Sequence, residues 1–254
     1  MLADLALSAS LKFPAVGLDG CRAGWVAAFQ LDGEPVLALV KSLSELTPHL
    51  SHETTVMIDM PIGLLDDASS RYCDALARER LRPYRSSSVF GVPPRAVTRI
   101  SDYTQANALS RKLTGRGLSK QSFYLFPKIR ELDDWLVNPE RQGEWWECHP
   151  EVAFAQLNRG VAVKASKKSE EGQAERVSLL ADLPGVNKAL ERASENYKRK
   201  DLLPDDCIDA LVCLLTAERD QHHRILMPAT PDKDERGLTM GIMAPVCDLT
   251  RSFE

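Results

Sequence analysis

No stretch of the 254-residue sequence is apolar for anything like the ~20 residues that cross a bilayer, so no membrane partner is expected. The opening MLADLALSASLKF has neither a basic start nor a sustained apolar core, which argues against a secretory signal and for a flexible arm over residues 1–13. The six cysteines stand singly at 21, 73, 148, 207, 213 and 247, with no C-x-x-C pair and no histidine cluster to complete a zinc site. Reduced thiols in a cytoplasmic protein are the expectation. Lys and Arg total 32 against 36 Asp and Glu, a formal charge of -4, which does not suit a protein that coats nucleic acid by bulk electrostatics. Any nucleic-acid contact must therefore be local. The sequence also lacks an internal repeat and a glycine-rich phosphate loop, which counts against a sugar-kinase or actin-like ATPase.

What is present is the make-up of a globular protein, 44% hydrophobic and 27% charged. With no linker to divide it, residues 14–254 read as one domain with helical insertions. Residues 14–41 hold the apolar segments PAVGLD, GWVAAFQL and PVLALVKSL, separated by GCRA and DGE, which predicts a three-stranded antiparallel meander. SLSELTPHL then predicts a short helix, and TTVMIDMPIGLL a strand buried on both faces. Residues 69–84 and 101–113 have helical spacing, RSSSVFGVPPR between them is a loop, KIRELDDWLV is a helix and EWWEC a short strand. SEEGQAERVSLLADL is helical, as are two segments after Pro184-Gly185, the second being PDDCIDALVCLLTAERDQHH with Pro204 near its first turn. The tail RILMPATPDKDERGLTMGIMAPV predicts a closing hairpin.

Acidic residues stand where apolar elements begin or end. Asp19 closes the first strand, Asp59 lies just before Met60-Pro61, and Asp205, Asp206 and Asp209 open the apolar helix. Asp206 and Asp209 are three apart and share a helix face, with Asp209 bordering the stripe of Ile208, Leu211, Val212 and Leu215. If the first and fourth strands pair in parallel, their C-terminal ends set Asp19 beside Asp59, and the late helix packed over that edge brings the other acids to the same spot. Carboxylates converging there repel unless a hard cation neutralises them, and two Mg²⁺ or Mn²⁺ ions would also activate water and stabilise a leaving oxygen. Each acid has a plainer reading too. Asp19 before Gly20 suits a turn, Asp59 a loop cap, and Asp205 and Asp206 the positive end of a helix.

The motifs VGLDGCRAGWVAA, IDMPIGL, RYCDALAR, RSSSVF, PKIRELD, ECHPEVAF, SKK and DDCIDALVCLLTA, in this order, closely resemble the family named domain of unknown function 429, over roughly residues 15–245. Members are predicted ribonuclease H-like nucleases. The resemblance implies an α/β fold, a mixed five-stranded sheet flanked by helices, and a two-metal phosphodiester hydrolase acting on DNA or RNA with Mg²⁺ or Mn²⁺. Holliday-junction resolvases of that superfamily place their last acid pair three residues apart on a helix. Carried onto this chain, that makes Asp19, Asp59, Asp206 and Asp209 the metal ligands and catalytic acids, with Glu147 or Glu151 as an auxiliary ligand and His149 as a proton carrier or turn residue.

Residues 71–99 carry a local excess of arginine, including Arg71, Arg85 and Arg95, that would position phosphates, with Arg22, Ser87, Lys128, Lys167 and Lys168 assisting. Intrahelical pairs such as Asp74 with Arg78 are the competing use of those charges. Trp145 and Trp146 point to opposite faces of a strand, so at least one belongs to the core. A nucleic-acid or nucleotide binding protein with a degenerate site is the alternative function, and self-association into a homo-oligomer is left open.

Overall fold

The computed structural model describes residues 11–246. Three strands, β1 (Ala15–Cys21), β2 (Gly24–Leu31) and β3 (Glu34–Val40), form the expected antiparallel meander. The β2–β3 turn is made by Asp32 and Gly33, both left-handed (φ 51° and 78°), the backbone that a two-residue hairpin matched to strand twist requires. A 3₁₀ segment, Leu43–His49, then leads to β4 (Thr55–Asp59), which lies parallel to β1. Four helices follow: α1 (Tyr72–Arg80), the single turn α2 (Arg95–Thr98), α3 (Tyr103–Thr114) and α4 (Lys120–Leu136). Next come β5 (Glu144–Glu147), α5 (Pro150–Leu157), α6 (Glu170–Ser178), α7 (Val186–Asn196) and α8 (Pro204–Glu218), and the chain closes with β6 (Arg224–Met227) and β7 (Ile242–Pro245).

Among the described residues all strands join one mixed sheet in the order β3-β2-β1-β4-β5-β7-β6, with seven strands rather than the expected five. The two extra strands are those of the closing hairpin, because β7 pairs in parallel with β5 through Glu147 and Ile242 and so covers an edge that would otherwise expose unpaired backbone. Helix α4 begins well before KIRELDDWLV and carries Pro127 inside it, while α1 is shorter than the spacing predicted. Helix α5 was not anticipated, although Pro150 at its first position is the residue that favours such a start. The arm expected over residues 1–13 falls outside the described residues except for 11–13, of which Phe13 is buried and stacks on Phe29 at 4.0 Å.

The alternation of side chains splits the core into two layers. Val16, Leu18, Trp25, Ala27, Phe29, Val56 and Ile58 pack with Phe126, Ile129 and Leu132 of α4 on one face. Ala15, Cys21, Val26, Ala28 and Met57 pack with α8 and α7 on the other. Each large apolar side chain fully buried in this way contributes about 1.5–3 kcal/mol. Trp145 belongs to the first layer and Trp146 packs against the second, as a strand requires of neighbours. Five cysteines, Cys21, Cys73, Cys148, Cys207 and Cys213, are buried free thiols. Among the described residues no helix is long and apolar enough to cross a membrane.

Helix α8 is buried from Cys207 through Ala217. It can lie directly on β1 because Gly17 has no side chain, since a Cβ there would sit 2.2 Å from the Ala210 carbonyl oxygen and 2.2 Å from the Leu214 nitrogen. A glycine in a strand interior marks such a close approach of backbones.

Candidate metal centre

The β1–β4 register sets Asp19 opposite Asp59. Both share the strand parity of Gly17 and Met57, the parity of the face that α8 covers. One turn into α8, Asp209 meets them, and one carboxylate oxygen from each of Asp19, Asp59 and Asp209 lies within 4.8 Å of the others. Asp19 and Asp209 are buried and Asp59 half-buried. The backbone N–H of Gly20 donates to Asp19 Oδ1 at 2.6 Å, and Lys167 Nζ donates to Asp209 Oδ2 at 2.6 Å. Asp209 Oδ1 is buried with no hydrogen-bond partner.

Electrostatics follow from this crowding. Burial, then the neighbouring Asp59 and Asp209, hold the Asp19 carboxyl well above its ordinary value. Burial and then Asp209 do the same to Asp59. Burial also raises Asp209, against the pull of Lys167. Lys167 itself is raised above the usual lysine value, because Asp209, Asp19 and Asp59 outweigh the burial that works against its charge. Three desolvated carboxylates, one of them with an orphaned oxygen, form a hard donor set, the kind that Mg²⁺ or Mn²⁺ prefers.

The other expected acids are turned to different work. Asp206 is not in the cluster, because as the third residue of α8 it bends back to accept from the Leu203 N–H at 3.1 Å, closing the helix N-terminus. Its carboxyl is raised by burial to about 6. Glu147 is paired with the buried Arg71 and also accepts from the Ile62 N–H at 2.8 Å. Burial raises this carboxyl and Arg71 opposes the rise. Both Glu151 carboxylate oxygens accept from Arg176 Nη2, each at 2.8 Å, in a pair sealed from solvent. His149 precedes α5 with Nδ1 buried and unpartnered, and burial keeps the ring below its ordinary value.

The expected phosphate contacts divide in the same way. Arg71 is consumed by Glu147, and Arg95 is buried against Asp133 at 3.2 Å, Asp66 at 3.0 Å and Asp234 at 2.5 Å, so both hold the fold rather than face a substrate. Arg85 donates to the carbonyls of Val163 (2.9 Å) and Lys164 (2.6 Å), bracing the segment that carries Lys167. Lys128 donates to the Gly24 carbonyl and lies over the Trp25 ring at 4.7 Å, and burial lowers its pKa. Its stem runs beside Gly20, where a Cβ would meet Lys128 Cδ at 2.7 Å. Arg22, Ser87 and Lys168 are exposed.

Sequence reasoning missed Gly17 as the residue that seats α8, although a glycine inside an apolar strand is a readable sign. It also missed Arg176, which nothing in the local pattern ties to Glu151.

A carboxylate cluster toward the C-terminal ends of two parallel strands, roofed by a helix, is the candidate site of a mixed α/β protein. The chain belongs to the family described as Protein of unknown function (DUF429), whose model matches residues 17–233. No curated protein and no solved structure matches the chain significantly.

Proposed function

We propose that the protein is a metal-dependent nuclease with a ribonuclease H-like core, hydrolysing phosphodiester bonds of DNA or RNA. The observation that carries the proposal is the convergence of Asp19, Asp59 and Asp209 within 4.8 Å of one another, two from paired parallel strands and one from the helix above. The strand order β3-β2-β1-β4-β5, with β2 antiparallel to both neighbours and β4 and β5 parallel to β1, supports the ribonuclease H-like reading.

On this reading Asp19, Asp59 and Asp209 hold Mg²⁺ or Mn²⁺ through their oxygens. When bound, such a cation lowers the pKa of water and stabilises the departing oxygen of a phosphodiester. The protein's own groups do the rest. Gly20 N–H orients the Asp19 carboxylate, and the Lys167 ammonium offsets charge beside Asp209. Exposed Arg22, on the turn that follows Asp19, and Ser87 meet the phosphate backbone.

The test is cleavage of a panel of single-stranded, duplex, hybrid and branched substrates with Mg²⁺ or Mn²⁺. Turnover abolished by Asp19→Asn is the expected result, and no cleavage of any substrate with either metal refutes the proposal. One observation favours a second reading, a nucleic-acid or nucleotide binding protein with a degenerate site: Asp209 already has a cationic partner in Lys167. Binding that Asp19→Asn leaves unchanged, without turnover, is the result that reading expects.

A further inference from the structure

We infer that the centre takes one divalent cation, with the ammonium of Lys167 standing where a second would lie. The inference rests on the reading of the carboxylate cluster as a metal centre and departs from the two-ion arrangement that the family resemblance implies.

Two ions about 3.5–4 Å apart need a carboxylate between them and further carboxylates on their outer sides. Three carboxylates face this centre. The acids that could serve a second ion are each engaged elsewhere: Asp206 through Oδ2 by the Leu203 N–H, Glu147 by Arg71 and the Ile62 N–H, and Glu151 through both oxygens by Arg176 Nη2. Turning Glu151 toward the centre would leave the buried Arg176 without its carboxylate, and turning Glu147 would leave the buried Arg71 only the Asp74 carboxylate at 3.7 Å, so either move is costly.

Charge leads to the same count. Three carboxylates and one ammonium sum to -3 + 1 = -2, which one divalent cation cancels and two would overshoot to +2. The two oxygens of Asp209 are already divided, Oδ2 to Lys167 and Oδ1 buried and free to take an ion.

Lys167 is held in place by its surroundings. Its carbonyl accepts from Gln173 Nε2 at 3.1 Å, Arg176 Nη1 donates to the Ala165 carbonyl at 3.2 Å, and Arg85 grips Val163 and Lys164. Gly172 lets α6 close on this segment, because a Cβ there would lie 2.0 Å from the Ser166 carbonyl oxygen. A side chain 37% exposed, on a segment braced from three sides, is positioned to present its charge at the solvent-facing rim of the cluster.

Calorimetric titration of the metal-free full chain with Mn²⁺, paired with electron paramagnetic resonance, tests the inference without any substrate. The expected result is one Mn²⁺ per chain with the signal of an isolated ion, no binding to Asp19→Asn, and two spin-coupled ions in Lys167→Glu, which removes the ammonium and supplies the missing carboxylate. Lys167→Arg, which keeps the charge, is expected to stay at one, with circular dichroism confirming that each variant is folded. Two coupled ions in the unaltered chain overturn the inference and leave the metal-centre reading standing. No binding at all, or binding indifferent to Asp19→Asn, overturns both. A folded Lys167→Glu that still takes a single ion refutes the part assigned to Lys167.

Discussion

Replacing Gly17 by alanine perturbs the centre without touching any acid. The new Cβ would lie 2.2 Å from two backbone atoms of α8, whereas ordinary contact begins at 3.4 Å, so the helix must withdraw by 3.4 - 2.2 = 1.2 Å. Backbone atoms cannot change rotamer to make room. Overpacking of this kind costs about 1–3 kcal/mol, which in a chain of this size lowers Tm by roughly 2–12 °C. The same displacement carries Asp209 away from Asp19 and Asp59, and misplacing metal ligands through their supports typically weakens binding about 10–100-fold. Thermal unfolding and Mn²⁺ titration measure the two effects, with Gly91→Ala as the control because nothing lies within 4 Å of a Cβ there. A Gly17→Ala protein with unchanged Tm and unchanged Mn²⁺ affinity would mean that α8 is not seated through this glycine.

Asp206→Ala is expected to cost about 1 kcal/mol in chemical denaturation by uncapping α8 while keeping Mn²⁺ binding, whereas Asp209→Asn is expected to abolish binding; the reverse pattern overturns the assignment. Glu151→Ala leaves Arg176 buried without its carboxylate, a loss of about 3–5 kcal/mol that Glu151→Leu combined with Arg176→Met should largely recover. The metal-free protein should lose stability as pH rises. Asp19, Asp59, Asp206, Asp209 and Glu147 have folded pKa values above their ordinary ones and outnumber His149, whose lowered value works the other way, so the folded chain binds more protons than the unfolded chain through the raised values, about 6 for Asp206 and about 7 for Glu147. Melting curves in a chelator across that window, repeated with Mn²⁺, check the sign: stability that climbs with pH in the chelator sinks the argument.

Much of this architecture is legible in short stretches of chain. The apolar runs PAVGLD and GWVAAFQL, set apart by turn residues, announce strands, Asp32-Gly33 announces the hairpin between β2 and β3, and Pro204 announces the start of α8. Asp19 and Asp59 are conspicuous because each ends an apolar run. The arginines mislead for a reason of the same kind. Arg71 and Arg95 look available for phosphate, but Arg71 pairs with Asp74 at 3.7 Å and their shortest contacts reach Glu147 and Asp234, 76 and 139 residues away.

What the sequence determined by itself was local: which segments are strands or helices, and that acids sit at their ends. Those properties depend on side-chain period and on turn residues a few positions apart. Only the tertiary structure decided which acids meet. Asp206 and Asp209 share a helix face, yet one folds back on Leu203 and the other, carried over Gly17, joins Asp19 and Asp59. It also decided that Glu147, Glu151, Arg71 and Arg95 hold one another and their neighbours, because a charge taken out of water must find its opposite wherever the fold places it.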